Sequence, residues 1–244
     1  MTTIKNSLSS IFKAHDNDTV DKNQPLLKNT KGVLMCITGK KRTGKTSLWL
    51  SMLSNKKLYG GYFGNIWLIS PSSSDEKTKP LVNELDKEGK FFKELTENNI
   101  NSILAYIKEE QSRQKQHDKK VGKKSPPIYN LLILDDVITD IPRSFKKNII
   151  TSLFYNQRHY NLSIIVISQS YKLLQANIRK NIDMLYCFPM TNLKEKEALQ
   201  DDWSIPDEIF DIAFGNEEDH PFLTINLTGS KPVFFRKFDK INHK

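Results

Sequence analysis

Short continuous runs of apolar residues alternate along this chain with longer stretches in which apolar positions return every three or four residues. Val33–Ile37, Asn65–Ser70, Tyr129–Leu134, Ser163–Ser168 and Met184–Phe188 are runs of strand length, rich in branched and aromatic side chains. Helical patterns lie between them: Thr46 through Met52, residues 81–87, and residues 100–112 with Ile100, Ile103, Leu104 and Ile107 on one face. Phe145, Ile149, Leu153 and Phe154 mark a further helix. Strands that are apolar throughout, rather than alternately, belong to a sheet covered on both faces, and the intervening helices make it mainly parallel. The chain closes differently. Phe222–Leu227 and Val233–Phe238, joined by a Thr-Gly-Ser-Lys turn, predict a β-hairpin.

The expected class is therefore α/β, with one domain over residues 30–244; a chain of 244 residues has room for little more. Residues 1–29 are polar and lack glycine, with Ile4, Leu8, Ile11 and Phe12 at helical spacing. They read as a frayed tail or as a short amphipathic helix that docks on a neighbour. Residues 113–124 (RQKQHDKKVGKK), followed by Pro126 and Pro127, read as a solvated mobile loop, or as a basic surface touching nucleic acid.

Composition narrows the classes. Apolar content of 38% with 27% charged residues fits a soluble globular protein. No apolar run reaches membrane-spanning length, and Asn6, Ser9, Lys13 and Asp16 interrupt any signal-peptide core. Cys36 and Cys187 each sit in an apolar run and are expected to be buried, reduced thiols, which fits a reducing compartment. The net charge of +9 favours polyanionic partners, nucleic acid above all, without proving one.

The specific chemistry begins at Gly39-Lys40-Lys41-Arg42-Thr43-Gly44-Lys45-Thr46, which satisfies GxxxxGK[ST] at every defined position. Such a match arises by chance in a chain this long roughly once in a hundred, and here it follows an apolar strand and precedes a helix, as the mechanism requires. Glycines let the backbone curl so that its amides converge on a phosphate at a helix N-terminus. Gly39 through Ser47 are the expected phosphate-binding residues, with Lys45 neutralising β and γ oxygens and Thr46 ligating Mg²⁺; the expected ligand is ATP with magnesium. A hydrophobic strand ending in Asp135-Asp136 supplies the acidic half: Asp135 for the metal, Asp136 to polarise the attacking water. Gln169, at the tip of SIIVISQ, can sit beside the γ-phosphate and report its presence.

The set GKKRTGKT, NIWLISPS, LLILDD and NQRHYNLSIIVISQ resembles the viral genome-packaging ATPases of the FtsK–HerA superfamily, the poxvirus-type enzymes of large DNA viruses and virophages. The resemblance spans roughly residues 30–240. It implies a RecA-like P-loop NTPase fold of the ASCE type, in which the strand bearing Gln169 lies between the P-loop strand and the Asp135 strand. It implies a ring of five or six copies that pushes double-stranded DNA into a preformed capsid, in contact with capsid or capsid-vertex proteins. The location it implies is the host-cell cytoplasm or viral factory, or the virion. It also implies that Arg158 reaches into a neighbouring subunit's site; from the residues alone, a cation there equally suits the end of the 145–157 helix. Asp136 stands where cellular members carry Glu, a change that viral members tolerate. Lys40, Lys41 and Arg42 make this P-loop more basic than most.

Three other functions share these features. A helicase or recombination ATPase would respond to single-stranded rather than double-stranded DNA. A small-molecule kinase would need an acceptor pocket and an arginine-rich lid. A scaffold protein with a relic site is hard to square with intact Lys45, Thr46 and Asp135.

Overall fold

The computed structural model describes residues 25–28, 30–72, 76–141, 148–215 and 219–242. Nine strands form one sheet in the order β3-β2-β4-β5-β1-β6-β7-β8-β9. They are β1 Leu34–Thr38, β2 Asn65–Ile69, β3 Phe91–Phe92, β4 Asn130–Asp135, β5 Leu162–Ser168, β6 Met184–Cys187, β7 Leu223–Asn226, β8 Val233–Arg236 and β9 Asp239–Lys240. From β3 to β6 every pairing is parallel; from β6 to β9 every pairing is antiparallel. The expected C-terminal hairpin exists as β7 and β8. It is no appendage, since β7 pairs with β6 and extends the main sheet. At both ends the sheet finishes in a strand of two residues.

The strands are apolar throughout because both faces are covered, and alternate residues feed different cores. Leu34, Cys36, Leu132, Leu134, Ile164 and Val166 face one core, which is closed by α3 (Glu97–Val121), α4 (Ile149–Asn156), α6 (Leu193–Trp203) and α7 (Asp207–Phe214). Met35, Ile37, Leu131, Ile133, Ile165 and Ile167 face the other, beneath α1 (Lys45–Ser54) and α2 (Lys79–Lys87). A one-turn helix, α5 (Ala176–Arg179), precedes β6. Cys36 and Cys187 are buried free thiols, as expected, and burial raises both pKa values. Among the described residues no helix is long and apolar enough to cross a membrane.

Packing starts before residue 30. Leu26 and Leu27 are buried in the second core, the Leu27 amide donates to the Tyr59 hydroxyl at 3.0 Å, and the Tyr186 hydroxyl donates to the Pro25 carbonyl at 3.2 Å. Ile4, Leu8, Ile11, Phe12 and Phe145 lie outside the described residues.

Residues 113–121 are helical, which corrects the reading of 113–124 as a loop. They form the second half of α3, whose buried positions end at Ile107. Thr96 caps its start by accepting from Asn99 N, and Gly122, at φ 71°, ends it in the left-handed conformation that favours glycine. Lys, Gln and Arg are good helix formers without any core to pack on. Lys119 and Lys120 sit in the last turn, where cations suit the helix dipole.

Candidate functional site

The parallel strands end at one edge of the sheet, and the sequence-predicted residues gather there, Arg158 excepted. After β1 the chain passes Gly39, whose amide donates to the Ser168 carbonyl at 3.2 Å and ties the loop to the tip of β5. A side chain on Gly39 would strike Phe188 Cβ at 2.6 Å and Thr43 Oγ1 at 2.9 Å, so glycine is required by close approach. Thr43 Oγ donates to the Lys40 carbonyl at 2.9 Å and closes the curl. Gly44, at φ 105°, then starts α1, which has no side-chain cap and no acid in its first turn. The first amides of a helix need acceptors. Here no side chain caps the start, and the dipole favours an anion at that spot.

Lys45 is nearly buried and its ammonium donates to the carbonyls of Gly39 at 2.6 Å and Lys40 at 2.7 Å. Burial lowers its pKa, while the charges of Asp136 and Asp135 oppose that shift. The ammonium therefore sits inside the phosphate loop with both carboxylates in electrostatic range. A cavity of about 280 Å³ opens beside it, lined by Arg42, Gly44, Lys45, Thr46, Ser47, Lys77 and His220.

Asp135 is the last residue of β4 and pairs with Ile167 of β5; its Oδ2 accepts from Ser70 Oγ at 3.4 Å. Asp136 follows with φ 54°, a left-handed conformation that costs a non-glycine residue about 1 kcal/mol or more. Its amide donates to the Ile167 carbonyl at 3.2 Å, and its Oδ2 accepts from Gln169 Nε2 at 3.1 Å. Strained backbone and side-chain bond together fix the direction of this carboxylate. Because β5 lies between β1 and β4, Gln169 emerges between the phosphate loop and the acids. That is the position the resemblance implies.

Arg158 is elsewhere. It lies in a 3-10 turn, Gln157–Tyr160, ahead of β5, whereas Gln169 follows β5. The strand between them spans roughly 23 Å. Arg158 Nη2 pairs at 3.2 Å with Asp183 Oδ1, and Asp183 Oδ2 accepts from Leu34 N at 2.8 Å, so the arginine ties together the starts of β5, β6 and β1. Its side chain remains 64% exposed. From there it does not reach its own phosphate loop.

The structure adds residues that sequence reading passed over. His220 Nδ1 lies 3.1 Å from the Thr43 carbonyl, and a side chain on Gly44 would come within 3.2 Å of its ring. Lys77 Nζ donates to Ser47 Oγ at 3.2 Å. Glu195 of α6 accepts from Ser170 Oγ, from Tyr171 N at 2.8 Å and from Lys172 N at 3.3 Å, which clamps the turn following Gln169. Lys40 Nζ reaches Thr191 Oγ1 just ahead of the same helix. None of these has a spacing signature: His220 is 177 residues from Thr43.

The profile of the Poxvirus A32 protein family matches residues 22–208. No curated protein matches the sequence. Among solved structures, the DNA-packaging ATPase B204 from Sulfolobus turreted icosahedral virus is similar over 87% of this chain and 100% of its own, with a TM-score of 0.54 and 17% identity. The genome-packaging NTPase B204 from Sulfolobus turreted icosahedral virus 2, in complex with ATP-γS, is similar over 86% of this chain and 99% of its own (TM-score 0.52, 15% identity). ATPases 2 and 3 of EssC from Geobacillus thermodenitrificans are similar over 86% of this chain and 40% of theirs (TM-score 0.53, 14% identity). At such identities the likeness is one of fold: a P-loop ATPase sheet.

Proposed function

Because this chain belongs to the Poxvirus A32 protein family, we propose that it is an ATP-hydrolysing motor that moves double-stranded DNA into a preformed viral capsid. The observation that carries the reading is the carboxyl edge of the sheet. One uncapped helix start and two lysines, Lys45 and Lys77, face a cavity suited to phosphates, with two acids and a glutamine brought to the same edge by the β4-β5-β1 order. The solved packaging enzymes of similar fold, described as bound to ATP-γS or AMPPCP, support the same ligand here.

Each residue then has a task. The loop amides and the first turn of α1 hold the phosphates, and Lys45 transfers its donors from the Gly39 and Lys40 carbonyls to phosphate oxygens. Asp136 accepts hydrogen bonds from the attacking water and draws its proton. Gln169 holds Asp136 at 3.1 Å and touches whatever occupies the space beside it. The Thr46 hydroxyl and the Asp135 carboxylate are hard oxygen donors of the kind Mg²⁺ takes. Their neighbour Lys45 feels the charge of Asp135, so the donor set fits magnesium. When bound, the ion would supply charge neutralisation at the phosphates.

The motor works as a ring of five or six copies, docked on capsid or capsid-vertex proteins in the host cytoplasm, the viral factory or the virion. Arg158 of one copy stabilises charge in the site of the next. ATP turnover measured with and without double-stranded DNA, together with particle mass, tests this. Stimulated turnover by an oligomer is the expected result. An inert monomer, or stimulation by single strands alone, would overturn the motor.

A further inference from the structure

The amino edge of the sheet, where the parallel strands begin, carries a projection that the nucleotide site does not use. α3 passes that edge at Glu110, whose Oε2 accepts from Asn65 Nδ2, at the start of β2, at 2.7 Å. It then continues to Val121. At 1.5 Å per residue this end reaches roughly 16 Å beyond the sheet.

The projection is braced. Gln114 Nε2 donates to the Pro126 carbonyl at 2.6 Å, and Asp118 Oδ1 accepts from both the amide and the hydroxyl of Ser125. The Ser125 hydroxyl is the main cause of a lowered Asp118 pKa. Each acid of the arm is thus engaged: Glu109 with Arg113, Glu110 with Asn65, Asp118 with Ser125. Five of its lysines are not. Lys115, Lys119, Lys120, Lys123 and Lys124 are exposed, and among the described residues none makes an ion pair with a carboxylate. Exposed Lys56 and Lys57 follow α1 at the same edge, in a loop tied to the start of β4 by Gly64 N donating to the Tyr129 carbonyl at 2.8 Å.

We propose that this arm grips the phosphate backbone of double-stranded DNA, without reading sequence, from the side of the sheet opposite the nucleotide. The inference rests on the reading of the chain as a DNA motor and adds the surface through which it holds its track. Charge complementarity chooses the occupant. A duplex presents one negative charge per about 1.7 Å of its axis, and the Cβ atoms of Lys115 and Lys119, one helical turn apart, are separated by about 6 Å. Lysines act as point charges that position a backbone; fork-shaped side chains are what read base edges. An acidic protein partner fits less well. Protein interfaces have aromatic, lysine-poor centres, and the one exposed apolar residue on this arm is Val121.

The test replaces Lys115, Lys119, Lys120, Lys123 and Lys124 together by Gln in the full chain. Glutamine matches lysine in helix propensity, and unchanged circular dichroism and ATP affinity verify the fold. Duplex affinity is read by fluorescence anisotropy between 50 and 200 mM salt. Each lost phosphate contact lowers the log–log salt slope by about 0.9, so the slope falls by about 3 or more and affinity at 50 mM drops at least tenfold. A variant equal to wild type in both, where wild type binds duplex, overturns the arm and leaves the motor standing. Wild type that binds no duplex overturns both. A variant that keeps duplex affinity but loses binding to poly-glutamate overturns the grip in favour of a protein partner.

Discussion

The two edges of one sheet treat charge in opposite ways. At the carboxyl edge, Lys45 is buried inside the phosphate loop and feels the charges of Asp136 and Asp135, while Asp136, at φ 54°, is held by its bond from Gln169. At the amino edge, the lysines of α3 are exposed, and Arg158 leaves most of its side chain in water while pairing with a half-buried Asp183. Chemistry needs a few groups whose positions and pKa values are set by neighbours, and the crevice beyond the strand ends is where an α/β sheet supplies them. A hold on a long polymer needs many weak contacts that form and release, for which exposed, unneutralised charge is the better material.

Mutations can break this division or sharpen it. The largest effect is expected where an amino-edge residue takes part in chemistry. Arg158→Ala should lower ATP turnover by about 10³-fold or more in the assembled protein while leaving nucleotide affinity within a few-fold. Arg158→Lys, which retains a cation for Asp183 but not the planar fork, should restore stability and not turnover. Equal losses of affinity and turnover in a nucleotide titration would return Arg158 to a purely structural role. Because Asp183 is only 13% exposed, loss of its partner also costs stability, so a melting curve comparing Arg158→Ala with Arg158→Lys separates the two.

Lys45→Ala should remove binding and turnover together, with affinity down about 100-fold or more, since it deletes the charged donor inside the phosphate loop. The wild-type residue also predicts a pH trend. Burial lowers the Lys45 pKa. As pH rises through that lowered value, the ammonium loses its proton sooner than an exposed lysine would. Nucleotide affinity should therefore weaken on the alkaline side before pH 10.5, the ordinary lysine value, and a titration from pH 7 upward reads it. Gln169→Ala, which frees the Asp136 carboxylate, should cost about 10- to 100-fold in turnover with little change in affinity; single-turnover kinetics would show it. The smallest effect is expected for His220→Ala. One hydrogen bond to the Thr43 carbonyl is lost, and affinity should fall by roughly three- to tenfold.

The carboxyl edge was largely legible in the sequence, and the amino edge was not. The phosphate loop, the acid pair and the glutamine announce themselves because each sits immediately after an apolar run, so motif and strand end coincide. The strand order that places Gln169 between loop and acids came from family resemblance, since local pattern carries no information on which strands are neighbours. The second half of α3 was misread because its apolar stripe stops at Ile107; beyond that point a helix standing in water shows no periodicity, and Gly122, Pro126 and Pro127 look like loop punctuation. α6 buries Leu199 alone, and α7, eight residues long, is too short to show a helical period. His220 and Lys77 meet the loop only because distant segments fold over it.

One consequence follows from how the sheet stops. Phe91–Phe92 and Asp239–Lys240 leave almost no backbone for another chain to zip onto. If copies assemble as proposed, their contacts would lie mainly in side chains and loops, which can part and re-form with each hydrolysis event, instead of in a continuous hydrogen-bonded ribbon that no single event could pull open.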